Sequence, residues 1–202
     1  MKCFLNYLYC MVISIFMFSC SNDIGNMSSK TKDVWTRSVQ DVHSFPDVSR
    51  IKSDPDVVTK MSEAWNEMKS YAAKGQRREY GFYIYYDESS DDIYCGKLQH
   101  GETVTECEGT HGTIDLEIDD PQTFNQRVCA HFHCHTTLQY CPSYVSRVTG
   151  PSSSDISLVN ARELPGILCD YSASTVYGGD SKDNNYKIET FGDYTKRPDM
   201  YY

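Results

Sequence analysis

From Asp54 onwards the apolar positions fall into a few clear periods. Asp54-Pro55 supplies an N-cap with proline at the first helical position, and Val57, Val58, Met61, Trp65, Met68 and Ala72 recur at helical spacing up to Lys74-Gly75. This predicts a helix whose methionine and aromatic stripe is core packing. From Glu79 the period changes. Tyr80-Gly81-Phe82-Tyr83-Ile84-Tyr85-Tyr86 is dense in β-formers and stops at the turn-rich Asp87-Glu88-Ser89-Ser90, and Ile93 to Leu98 reads as its hairpin partner. Thr113 to Ile118 and Arg127 to His135 predict two more strands, with a short helix over Pro121 to Gln126 between them. Ile156, Leu158, Val159, Ala161 and Leu164 predict a short helix capped by Ser154. Pro165 then opens the apolar strand Gly166 to Tyr171, and Lys187 to Phe191 predicts a last strand. No repeat appears. Strands alternating with helices predict an α/β layered domain rather than an all-β sandwich.

The N-terminal quarter follows another pattern. The first 19 residues carry one charge, Lys2, and an apolar run from Phe4 to Phe18 that is short for a membrane span, as in an export signal. Met17-Phe18-Ser19-Cys20 resembles a relaxed bacterial lipobox, which makes Cys20 the expected lipidated first residue; a plain secretory signal or an uncleaved anchor is the alternative. Ser21 to about Asp54 is polar without a sustained period and reads as a tether, so the expected division is signal 1–19, tether 20–54 and domain 55–202. One domain fits that length. The net charge of −9, with no basic run interleaved with aromatics, argues against nucleic acid as a partner. Beyond Cys20 stand Cys95, Cys107, Cys129, Cys134, Cys141 and Cys169, so disulfides are plausible in an oxidising compartment while their pairing stays open.

The candidate chemistry lies in His131-Phe132-His133-Cys134-His135. Strand alternation puts Val128, Ala130, Phe132 and Cys134 on one face and Cys129, His131, His133 and His135 on the other. Residues two apart on one face stand roughly 6.5–7 Å apart, a span that two imidazoles close onto one ion, whereas residues four apart stand about 13 Å apart. Only one adjacent pair can bind the same ion. His133 and His135 are the expected pair, because His135 stands where the strand gives way to a loop. The competing reading is of surface histidines on a half-exposed strand, which three histidines at period two make less attractive. Asp155, at the start of the predicted helix after Ser152-Ser153-Ser154, is the expected third ligand, although that cluster is also a plain N-cap.

Taken in order, a glutamate, then His133-Cys134-His135, then Ser152-Ser153-Ser154-Asp155 resemble the JAMM/MPN metallopeptidases. The likeness runs from about Glu79 to Tyr171 and is nearest to the bacterial JAB-like toxin and secreted branch. It implies a mixed β-sheet flanked by helices, a layered sandwich related to that of the cytidine deaminases. It also implies Zn²⁺ held by His133, His135 and Asp155, Glu79 as the group that activates water, and Ser152 as a donor to the oxyanion. Glu79 fits because it opens a strand after a helix and is followed by Gly81; Glu102, Glu106, Glu108 and Glu117 are its rivals. Two departures stand out: Thr136 where the family has proline, and sixteen residues between His135 and Ser152, a longer connection than usual that costs little closure entropy.

The expected function is hydrolysis of a peptide or isopeptide bond in a protein or peptide substrate, with peptidoglycan stem peptides as a less favoured target. The expected place is the bacterial cell envelope, held at a membrane through lipid on Cys20. A non-catalytic zinc-containing binding module and a toxin-like effector peptidase are the alternatives. Zinc deaminases need His-x-Glu and Pro-Cys-x-x-Cys, and neither occurs. A cysteine nucleophile at Cys134 is disfavoured because alternation turns it away from its neighbouring histidines.

Overall fold

The computed structural model describes residues 45–108, 112–118, 126–179 and 185–194. The expected export signal, Cys20 and most of the expected short helix at Pro121 to Gln126 lie outside these residues. The fold is mixed α/β, with helices on both faces of a mixed sheet. Helix α1, Val48–Ser53, comes first and falls within the stretch read as tether. That reading needs correction at its end: Ile51 is fully buried and Phe45 packs against the main core, so the domain begins before Asp54. Helix α2 spans Pro55–Ala72, and the Asp54 carboxylate caps it by accepting from the N–H groups of Asp56 and Val57.

The sheet contains β1 (Tyr80–Asp87), β2 (Asp92–Cys95), β3 (Gln99–His100), β4 (Gln126–Cys134), β6 (Gly166–Tyr171) and β8 (Tyr186–Phe191). Its order is β2-β1-β4-β6-β8, with β3 paired to β1. β4 and β6 run parallel, joined through β5 (Ser146–Val148) and helix α3 (Ser153–Arg162), while β1 and β8 run antiparallel to their neighbours. β5 pairs with β7, Thr175–Tyr177, in a separate two-stranded ribbon. β1 and β6 are buried along their whole length, and β4 along all but its first residue, as strands covered on both faces must be.

Each face packs against its own helix. Met61, Ala64, Trp65 and Met68 of α2 cover Phe82, Ile84, Phe132, Cys134 and Ile167. On the opposite face Val159 of α3 meets Leu168 and Phe191, and Leu164 meets Tyr83, Tyr85 and Val128. The expected alternation along β4 breaks at its start. The ladder with β1 pairs Ile84 with Ala130 and then Tyr85 with Val128, leaving Cys129 as an extra residue in a bulge. Cys129 therefore joins the α2 face and Val128 the α3 face, the reverse of strict alternation, while His131 and His133 keep the face expected of them.

Two further expectations change. Thr113 to Ile118 forms no strand; the Gln99 side-chain amide accepts from the Glu117 N–H and donates to its carbonyl, taking both backbone bonds of that one residue. The cap of α3 is Ser152, not Ser154. Its Oγ accepts from the Asp155 N–H at 3.2 Å while the Asp155 carboxylate accepts from the Ser152 N–H at 2.6 Å, a reciprocal box that requires Asp155 as the third helical residue. Cys107 and Cys141 form a disulfide, which ties the segment after β3 to the loop after His135.

Gly81 stands opposite His133 in the β1–β4 ladder, and a Cβ there would lie 2.5 Å from the Phe132 carbonyl oxygen and 3.1 Å from the His133 Cβ. The close approach of these two strands depends on that missing methyl. Gly81→Ala is expected to lower unfolding stability by roughly 1–3 kcal/mol, as overpacking against a rigid neighbour does. Chemical denaturation of the variant beside the wild type checks this.

Candidate metal centre

The end of β4 and the start of α3 bring three side chains together. Potential ligand atoms of His133, His135 and Asp155 all lie within 4.8 Å of one another, and this group could hold a metal ion. His135 Nε2 is 3.3 Å from Asp155 Oδ2, and His133 Nε2 is 3.5 Å from Asp155 Oδ1. In a tetrahedral site with bonds of about 2.0–2.1 Å, neighbouring ligand atoms stand roughly 3.3 Å apart, and each histidine faces its own oxygen of the Asp155 carboxylate at close to that spacing. At 3.5 Å the His133 contact is too long for a normal hydrogen bond, and His133 Nε2 is buried without a hydrogen-bond partner. A buried ring nitrogen left in that state suits a ligand better than a core residue.

Local structure explains how each group arrives. His133 and His135 follow from the strand period, and Gly81 leaves the space across from His133 open. Phe191 of β8 lies with its ring centroid 6.0 Å from that of His133, and it can do so because Gly166 has no Cβ to meet its ring. Asp155 is aimed by the capping box: the bond from the Ser152 N–H fixes its carboxylate toward the strand. Ser152 itself is exposed at the rim. Glu79 precedes β1 on the same face as the histidines, is 8% exposed, and is packed by Gly112, where a Cβ would sit 3.5 Å from Glu79 Oε1. It stands outside the three-residue group yet within electrostatic reach of His133, His135 and Asp155.

His131 is kept out. It is 2% exposed, its ring packs edge-on against Tyr83 and Phe191, and burial depresses its pKa to about 3 with His133 pushing the same way. It is a neutral core residue. Cys134 lies in the α2 core with its thiol donating to the Ala64 carbonyl, and burial pushes its pKa well up, so it stays a thiol and makes a poor nucleophile.

Charge in the centre is set by burial working against close partners. Burial opposes the Asp155 charge, but the two imidazoles and Ser152 outweigh it and hold the carboxyl well below its ordinary range. Burial likewise opposes a charged His135, yet hydrogen bonds to Asp155 and Asp170 raise its pKa to about 9. Glu79 goes the other way: burial raises its pKa, and the nearby His133, His135 and Arg147 only partly offset it.

Asp170 and Arg147 were not among the candidates. Asp170 is fully buried in β6 and accepts from His135 Nδ1 at 3.0 Å, while the Arg147 guanidinium grips both of its oxygens at 2.6 and 2.9 Å. A lone acidic residue inside the apolar run Gly166 to Tyr171 was the available signal for Asp170. Arg147, in a polar connection, offered none.

No protein-family model matches the sequence, and neither curated proteins nor solved structures give a match. The geometry of these residues therefore carries the functional argument.

A metal ion bound by this group would displace the proton that His135 holds between two carboxylates. With a pKa near 9, apparent affinity for an added divalent metal ion is expected to rise with pH by up to about tenfold per unit between pH 6 and 8, levelling towards pH 9. Competition titrations against a chromogenic chelator measure this, and an affinity that stays flat across that range contradicts it.

Proposed function

We propose that this chain is a zinc-dependent metallopeptidase of JAMM type, with a JAMM/MPN-like fold, that hydrolyses a peptide or isopeptide bond. The observation that carries the reading is the buried, hydrogen-bond-free His133 Nε2 facing Asp155 beside His135, with an acidic group of raised pKa nearby. Two imidazoles and a carboxylate are the donor set of many hydrolytic zinc sites, and three protein ligands leave a fourth position open. The chemistry supplied by a bound zinc ion is Lewis acidity towards the scissile carbonyl and towards water.

The chain's own residues supply the rest. Glu79 takes the proton from the attacking water and returns it to the leaving amine. Its burial suits this, since a carboxylate with raised proton affinity is a better base and then a usable acid near neutral pH. The Ser152 hydroxyl already accepts from the Asp155 N–H, which leaves its proton free to be donated to the developing oxyanion. The disulfide between Cys107 and Cys141 supports a working place outside the reducing cytosol. Lipid on Cys20 would hold the domain at the cell envelope, where envelope or extracellular protein is the proposed substrate pool and peptidoglycan stem peptides are second.

Glu79→Gln separates chemistry from metal binding. It is expected to keep fold and zinc while losing hydrolysis of a peptide library by roughly 10²–10⁴-fold. A binding module in which the metal is only structural predicts no change in vivo from Glu79→Gln, with partner binding lost when His133 or Asp155 is replaced. Full activity in the glutamine variant would remove Glu79 from the mechanism.

A further inference from the structure

His135 and Arg147 both turn their side chains to the buried Asp170. Its Oδ2 accepts from His135 Nδ1 at 3.0 Å, from Arg147 Nη1 at 2.9 Å and from the Gly150 N–H at 2.9 Å. Its Oδ1 accepts from Arg147 Nη2 at 2.6 Å and from its neighbour's N–H, Tyr171, at 2.7 Å. Arg147 turns back through Nε and Nη2 to the Thr136 carbonyl at 3.1 and 2.8 Å. One fully buried carboxylate thus joins the end of β4, strand β5, the turn into α3, and β6.

A buried ion pair of this kind is weak evidence for stability, because taking two charges out of water consumes most of what their attraction returns. Apolar residues of similar volume would fill a core position at least as well. What the carboxylate provides that they cannot is direction. An acceptor at Nδ1 assigns the ring proton to that nitrogen and leaves Nε2, 3.3 Å from Asp155 Oδ2, as the ligand atom. The bond from Gly150 holds the turn at a φ of +97°, and from there Pro151 leads straight to Ser152 and the box that aims Asp155.

We infer that Asp170, braced by Arg147, is the positioning residue of this centre, fixing the ring of His135 and the turn that delivers Asp155. The inference rests on the metal reading above and adds a residue that touches neither metal nor substrate. Its effect is on how well the ligands are preorganised.

The test uses the full chain, with zinc alone as the probe. Zinc dissociation constants come from chelator competition, and two-bond ¹H–¹⁵N imidazole spectra of the zinc-loaded protein report which His135 nitrogen carries the proton. Asp170→Asn is expected to weaken zinc binding by roughly 10–100-fold and to populate a second His135 tautomer or ring orientation, with far-UV circular dichroism unchanged. Should Asp170→Asn fail to fold, Arg147→Lys, which keeps the charge but loses the fork to both Asp170 and Thr136, is expected to show a smaller loss in the same direction. Wild-type affinity and a single His135 tautomer in whichever of these variants folds would overturn the proposal, even where His133→Ala abolishes binding. Failure of the wild type itself to take up zinc would overturn the metal reading along with it.

Discussion

Strand β4 and the residue that follows it place three histidines on one face, His131 and His133 buried and His135 half-buried, and the fold has to give each ring nitrogen a place to go. His131 solves this by staying neutral between aromatic rings. His135 solves it with two carboxylates, one on each ring nitrogen. His133 does not solve it internally: its Nε2 is buried, lacks a hydrogen bond and faces an oxygen of Asp155 at a spacing suited to a shared ion. A polar atom left without a hydrogen bond costs about 1–3 kcal/mol, so a ligand shared between His133 Nε2 and Asp155 would recover that cost.

The surrounding architecture follows from that strand. Glycines on both neighbouring strands make room on its polar face: Gly81 on β1 lets the backbones close on His133, and Gly166 on β6 lets Phe191 lie over the rings. Helix α3 contributes little to the core, burying Val159 alone, while its first turn is tightly specified by the Ser152–Asp155 box. The helix serves as a mount for Asp155 as much as a core element. The same box makes one pair of residues both a helix cap and half of the proposed catalytic apparatus, so a cap substitution here disturbs chemistry as well as stability.

How much of this was legible depended on whether the relevant forces were local. Helix α2, strands β1 and β6 and the histidine face were readable because capping and periodicity act within a few residues. The bulge at Cys129 was not, because it is defined only against the register of β1. Thr113 to Ile118 has the alternation of a strand, but forms none, and at Glu117 a glutamine side chain takes both backbone bonds. The cap at Ser152 was within reach, since Ser152-x-x-Asp155 is itself the capping-box spacing; the adjacent serines obscured it. Asp170 and Arg147, 23 residues apart, meet only through the packing of the β5–β7 ribbon beside β6, and no sequence period encodes that meeting.

The central claim is that His133, His135 and Asp155 form one metal centre and that His131 lies outside it. Elemental analysis of the purified chain, wild type beside His133→Ala and His131→Gln, addresses it most directly. The account predicts about one zinc per chain in the wild type, retention in His131→Gln and loss in His133→Ala. Zinc lost from His131→Gln with its fold intact, or kept in His133→Ala, would contradict it.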